Sequence, residues 1–298
     1  MLSKQIDFFL VGAPKCGTTA LYNALSQHPE IYLPAEKELH FFAPDFYPDD
    51  YITWEQYDAQ FNKFSHELVM GESSVWYLYS TEAPKLIYRY NQRARILIAL
   101  RNPADMIKSL HSQYLFDNVE PYTDLSQALA HEPERKRGEL IPDTVYNPRI
   151  LFYSDIIDYY GYVKKYMETF GKECVKVVIY DDFARDPMTV VREAYEFLNV
   201  DCSFEPVVRK VNIRKKYRSD ILRTLANPPF TIKQFFRKLI PFQLRRSIIK
   251  TINSLNAVEC DCGCESKVTE VNILSEHHRK NIIRLGELID KDLSVWLK

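Results

Sequence analysis

The sequence carries almost no excess charge: 39 basic and 40 acidic residues leave its 298 residues at a net charge of −1. A chain so balanced lacks the basic footprint of a nucleic-acid-binding protein, and no nucleic-acid partner is expected. It also lacks a long apolar run near its start. Phe8-Phe9-Leu10-Val11 is far too short to span a bilayer, and no signal-peptide cleavage pattern accompanies it. The expectation is a cytoplasmic protein with no transmembrane segment. Internal repeats and low-complexity tracts are absent, so a repeat array is excluded. Disorder is excluded by the 46% of apolar residues, ample for a core.

Six cysteines are present, and Cys16, Cys174 and Cys202 are scattered as in a protein of a reducing compartment. Cys260-Asp-Cys262-Gly-Cys264 places three thiols at alternating positions, but no second Cys/His cluster follows beyond His277 and His278. No metal is assigned on that pattern. The balanced total hides one segregation. Between Arg209 and Lys250 stand 13 basic residues and a single acid, Asp220, leaving 26 basic against 39 acidic residues elsewhere. Such a stretch is either a field that attracts an anion or a solvated helix face.

Short β-branched runs alternate with longer helical stretches, the pattern of an α/β fold with a parallel β-sheet flanked by helices. Asp7–Val11, Leu68–Glu72, Arg95–Leu100 and Val175–Tyr180 are candidate strands, each apolar enough to be buried on both faces. Helices are expected at Thr18–Ser26, Glu82–Tyr90, Ala104–Phe116, Ile150–Phe170 and Pro187–Leu198, with loops at Pro142–Pro148 and Asn227–Phe230. A closing helix is expected within Leu274–Leu297, packed back on one domain that spans residues 1–298.

The string Gly12-Ala-Pro-Lys15-Cys16-Gly17-Thr18-Thr19 follows the first strand and opens the first helix. Its glycine spacing is that of a phosphate-binding P-loop: Gly17 lets the backbone wrap an anion, and the helix start supplies unpaired N–H groups. One lysine is missing. Position 18 is Thr where nucleotide triphosphatases carry Lys, and the lysine stands earlier, at Lys15. A donor with a single phosphate bearing a transferable group needs neither the later Lys nor Mg²⁺.

The string Pro14-Lys15-Cys16-Gly17-Thr18-Thr19-Ala20-Leu21 resembles the 5′-phosphosulfate loop of sulfotransferases that use 3′-phosphoadenosine 5′-phosphosulfate. Arg101-Asn-Pro followed by Ser109 resembles their second motif, and Lys37-Glu38-Leu39-His40-Phe41-Phe42 the Glu-x-His-Phe-Phe stretch of the heparan-sulfate-type and related bacterial branch. Leu293-Ser-Val-Trp296-Leu297 resembles the end of bacterial members. The resemblance implies a P-loop-like sulfotransferase fold and sulfuryl transfer to a hydroxyl or amine, of a saccharide or glycoconjugate, with no metal. It implies Glu38 as general base with His40 beside it, two side chains that share a face on an extended segment. Lys15 would stabilise the leaving phosphate, with Cys16, Gly17, Thr18 and Thr19 around the phosphosulfate. Arg101, Ser109 and Arg218, the last within a late basic loop, would hold the 3′-phosphate, and Tyr180 would lie near the adenine. Trp76 and Tyr77 are candidate surfaces for stacking a sugar.

There are departures. Where polysaccharide enzymes follow the glutamate of a motif matched by Gly71-Glu72-Ser73-Ser74 with lysine, this chain has Ser73; an acid common after the Phe-Phe pair is Ala43. Two other readings stay open on the residues alone: a P-loop nucleotide kinase, and a polyanion- or membrane-binding module using residues 209–250.

Overall fold

The computed structural model describes residues 5–47, 52–145, 147–208 and 273–298, with short pieces at 215–217, 251–252 and 257–259 and single positions at 244 and 248. Its backbone contacts fall into two compact units. The first comprises Met1–Met106, Asp158–Val211 and Leu274–Lys298, the second Ile107–Ile157 and Asn212–Ile273.

The first unit is built on a five-stranded parallel sheet: β1 (Phe8–Leu10), β2 (Ile31–Tyr32), β3 (Val69–Ser73), β4 (Arg95–Leu100) and β5 (Val175–Ile179), in the spatial order β2-β3-β1-β4-β5. Four of these are the apolar runs expected. β2, only two residues long, carries too little pattern to be seen in sequence. The central strands are buried on both faces, so their near-continuous apolar character follows from helices lying above and below. In the β1/β3 register Phe8 stands opposite Gly71, and a Cβ at Gly71 would lie 2.1 Å from the Phe8 ring. Glycine there is what admits the ring.

The helices lie at Thr18–Leu25 (α1), Ala83–Tyr90, Pro103–Phe116 and Pro187–Leu198, close to the expected bounds. Pro103 at the first turn suits its fixed φ and missing N–H. The single helix expected over Ile150–Phe170 is instead three pieces: Pro148–Leu151, Tyr153–Ile156 and Tyr159–Phe170. Phe152 and Asp158 leave helical geometry at ψ 75° and 66°. Asp158 gains tertiary partners, accepting from Asn281 Nδ2 at 2.7 Å with His277 Nε2 at 2.9 Å, which local periodicity cannot announce.

Those partners belong to the closing helix, Glu276–Ile289, which starts with a Ser275 capping box and packs on Tyr159–Phe170. Beyond it a short turn, Ser294–Leu297, buries Trp296 to 1% exposure. The indole N–H donates to Asp181 Oδ2 at 3.1 Å, and the ring meets Tyr159 edge-on. No described helix is long and apolar enough to cross a membrane.

The second unit holds the rest of the helix Pro103–Phe116, the helices Leu125–Ala130 and Glu132–Lys136, and an antiparallel pair, Lys215–Tyr217 with Ala257–Glu259. Its interior contains a charge pair. Arg135 reaches Glu120 through two hydrogen bonds of 2.8 and 2.6 Å, Tyr153 donates to the same carboxylate at 2.9 Å, and both charged side chains are fully buried. The loop Asn227–Phe230, Cys260, Cys262, Cys264 and nearly all of residues 209–250 lie outside the described residues.

Trp296→Ala should cost about 3–5 kcal/mol, the range for deleting a large buried aromatic. Trp296→Phe should cost less, keeping most of the packing while losing the bond to Asp181. Urea midpoints of the two variants check this; an alanine variant as stable as the parent would show that the C-terminal turn does not anchor the first unit.

Candidate functional site

The named loops gather at the carboxyl ends of the strands, where ligands bind in open parallel sheets. The backbone ladder between β1 and β4 runs past the end of β1: Ala99 N donates to Gly12 O at 2.7 Å and Ala13 N to Ala99 O at 2.6 Å. The chain then turns through Lys15 (φ 62°) and Gly17 (φ 81°) into α1. The N-cap of α1 is Gly17, which has no side chain to cap the helix, and an uncapped helix start favours an anion. A Cβ at Gly17 would stand 2.8 Å from Cδ2 of Tyr180. The glycine thus serves both its left-handed backbone and the close approach of that ring.

Tyr180, expected as the last residue of its strand, opens the helix Tyr180–Arg185 immediately after β5. Its ring also faces Arg101, whose guanidinium carbon lies 4.7 Å from the ring centroid. Arg101 leaves the end of β4 and approaches Asp105 Oδ2 at 3.7 Å. Its Nε is buried and has no hydrogen-bond partner among the described residues. A buried, unmet guanidinium N–H beside an aromatic face fits an anionic nucleotide group. The Cys16 thiol is buried, donating to Pro14 O at 3.4 Å; burial pushes it up to about 12, with Tyr159 and Arg101 pulling the other way. Cys16 is therefore a neutral thiol at neutral pH. Thr18 is buried at the helix start, and Thr19 is exposed. Ser109 lies half-buried on Pro103–Phe116 in the second unit, and Arg218 falls outside the described residues.

Glu38 and His40 are brought together, though not by an extended segment. Both adopt left-handed backbone, φ 58° and 56°. With Lys15 they are three of the seven non-glycine residues at positive φ among the described residues, whereas two others, Asn199 and Asp290, merely end helices. Such conformations cost on the order of 1–3 kcal/mol each and persist only where surroundings hold them. The holding contacts are visible. Glu38 N donates to Ser73 O at 2.8 Å, Val75 N donates to Glu38 Oε2 at 3.0 Å, and His40 N donates to Ser74 Oγ at 3.0 Å. His40 Nε2 stands 3.3 Å from Glu38 Oε2, and its ring stacks on Tyr47 with centroids 3.9 Å apart. The His40 side chain is 4% exposed and that of Glu38 29%. Of the two, Glu38 is the more open to solvent.

Beneath this pair lies a carboxyl that sequence reasoning passed over. Glu72, at the end of β3, is 1% exposed and accepts a short hydrogen bond from Ser74. Burial pushes it up to about 8; Ser74 and Tyr77 oppose the shift and the Glu38 charge adds to it. Two neighbouring carboxyls in such unlike surroundings have separate roles: Glu72 keeps its proton at neutral pH, and Glu38 faces outward. Lys37, the first residue of the same motif, donates from its Nζ to Thr19 Oγ1 at 3.2 Å. Trp76 and Tyr77 are buried instead of offering a stacking face. Trp76 stacks on Phe46, while the Tyr77 hydroxyl accepts from Phe42 N at 3.1 Å.

Glu72 makes stability depend on pH. Its folded pKa of about 8 exceeds its ordinary 4.5, so the folded state holds a proton that the unfolded chain releases. Its contribution is most favourable below about 4.5 and declines as pH rises towards 8. The melting temperature of Glu72→Gln relative to the parent should therefore climb across that window. A difference that does not change with pH would show that Glu72 is not buried as a neutral acid.

Residues 5–240 match the family described as Sulfotransferase domain. A solved sulfotransferase from Alicyclobacillus acidocaldarius is 30% identical and superposes with a TM-score of 0.69 over 99% of this chain and 100% of that one. Carbohydrate sulfotransferase 15 of Rattus norvegicus is 24% identical in an alignment of length 249 that covers 65% of this chain and 43% of that protein. Heparan sulfate glucosamine 3-O-sulfotransferase 5 of Homo sapiens is 31% identical over 106 residues, 36% of this chain and 30% of that protein. The chain thus spans less than half the length of these two relatives. A family match over most of its residues and a solved relative along its whole length lead to one conclusion: the chain belongs to the sulfotransferase family.

Proposed function

We propose that this protein transfers a sulfuryl group from 3′-phosphoadenosine 5′-phosphosulfate to a hydroxyl or amine of a saccharide acceptor. The observation that carries the reading is a pair of consecutive residues. Lys37 touches Thr19 on the loop suited to the phosphosulfate, and Glu38 beside it is a half-exposed carboxylate held by Val75 N and His40. Donor loop and acceptor base are thereby one residue apart. The carbohydrate acceptor is supported by the names of these two relatives and by the resemblance of Glu38-Leu39-His40-Phe41-Phe42 to the heparan-sulfate-type branch.

Each residue has a distinct task. Glu38 accepts the acceptor's proton, because a neutral hydroxyl is a poor nucleophile. His40, buried and stacked, fixes Glu38 and is a positioning residue. The first N–H groups of α1 with Thr18 and Thr19 hold the phosphosulfate, and Lys15 meets the negative charge that develops on the phosphate as the sulfur leaves it. The buried Nε of Arg101 and the face of Tyr180 suit the 3′-phosphoadenosine. No step uses a metal.

Three outcomes are expected. The parent should bind adenosine 3′,5′-bisphosphate without Mg²⁺ by calorimetry; a Mg²⁺ requirement would favour a nucleotide kinase. Arg101→Ala should lose about 1.5–3 kcal/mol of preference for nucleotides with a 3′-phosphate over those without, the worth of one charged hydrogen bond. Unchanged discrimination removes Arg101 from that site. Glu38→Gln should cut turnover by roughly 10²–10⁴-fold with nucleotide binding nearly intact, and His40→Ala should do less. A Glu38→Gln enzyme at parental rate beside an inactive His40→Ala would make the histidine the base.

A further inference from the structure

We propose that Lys37 is a second cation on the transferring group, contacting the non-bridging sulfuryl oxygens while Lys15 serves the leaving phosphate. The inference rests on the donor reading above and assigns a residue that its motif did not single out for chemistry. Lys37 reaches the donor loop from another segment. Its Nζ donates to Thr19 Oγ1 at 3.2 Å, and Thr19 is an exposed residue in the first turn of a helix with no side-chain cap. An anion that takes the Thr19 hydroxyl or its N–H therefore lies within reach of the Lys37 ammonium, which has three donors to direct.

Its position is built rather than incidental. Lys37 lies over the Tyr22 ring, 5.1 Å from the centroid, and the Tyr22 hydroxyl donates to Pro34 O. One tyrosine of α1 thus supports the ammonium and fastens the segment that carries it. Desolvation lowers the Lys37 pKa and the neighbouring Glu38 carboxylate opposes that. A cation partly stripped of water interacts more strongly with an anion than one in bulk solvent. On β3, Ser73 is neutral and 1% exposed, so that strand end brings no competing cation.

Adjacent Lys37 and Glu38 divide the reaction between them. The acceptor oxygen forms its bond to sulfur as the bond from sulfur to the bridging oxygen breaks. The electron pair of that bond stays on the 5′-phosphate, and the acceptor's proton passes to Glu38. Charge on the sulfuryl oxygens is carried through this transfer, and Lys37 is the side chain placed to balance it on the base's side of the loop.

The test compares the parent, Lys37→Met and Lys37→Arg, measuring turnover with donor and a saccharide acceptor alongside calorimetric binding of adenosine 3′,5′-bisphosphate. That product lacks the sulfuryl group. Lys37→Met should therefore lose about 10²-fold in kcat, as for loss of one transition-state donor, while its nucleotide Kd shifts by less than about threefold. Lys37→Arg should recover at least about tenfold of the loss. Parental kcat in Lys37→Met, or a nucleotide affinity falling in step with kcat, overturns the assignment. Should Lys37→Met not fold, Lys37→Gln passes through the same pair of measurements. Failure of the parent itself to bind the nucleotide is a different result, and it overturns the donor reading and this inference with it.

Discussion

The backbone ladder between β1 and β4 continues through Gly12 and Ala13 before the chain turns into α1, and the site depends on that continuation. A strand that ended earlier would leave the loop free to choose its path. Here paired hydrogen bonds on both sides of Ala99 deliver Lys15 and Gly17 to one place, with Tyr180 from β5 and Arg101 from β4 converging there. Gly17 is then required twice, by its left-handed backbone and by the Tyr180 ring that leaves no room for a Cβ. The C-terminal turn supports the same corner: Trp296 holds Asp181, the residue after Tyr180, and packs on Tyr159 next to Cys16.

A second constraint acts on the other side of the loop. Glu38 and His40 are each bent into left-handed backbone, and the bonds that hold them come from Ser73, Ser74 and Val75 at the end of β3. Below them Glu72 is buried as an acid that keeps its proton at neutral pH. The structure therefore spends stability on an outward-facing carboxylate fixed in position, a common cost where chemistry is done.

Much of this was legible in the amino-acid order. The four longer strands are continuous apolar runs, and Gly12–Thr19 follows the first of them into a helix, so loop and sheet could be read by local pattern. Arg101 and Tyr180 were singled out by resemblance to family motifs at the ends of the strands Arg95–Leu100 and Val175–Tyr180. What pattern could not reveal depends on tertiary contact. Asp158 breaks the expected long helix because Asn281 and His277 meet it from 119 or more residues away. Trp76 and Tyr77 sit in a turn that buries them, whereas sequence offers no sign of which way a turn faces. Glu72 appears as one more strand-end residue until its burial is seen, and Lys37 as a solvated neighbour of Glu38 until its Nζ is found at Thr19.

The central claim is that one corner of this sheet holds a phosphosulfate donor and activates an acceptor beside it. Mass spectrometry of a saccharide acceptor incubated with the protein and 3′-phosphoadenosine 5′-phosphosulfate, without added metal, tests it most directly. The account predicts an acceptor heavier by one sulfuryl group and an equal amount of adenosine 3′,5′-bisphosphate released. Consumption of a nucleoside triphosphate with the acceptor gaining a phosphoryl group would contradict it.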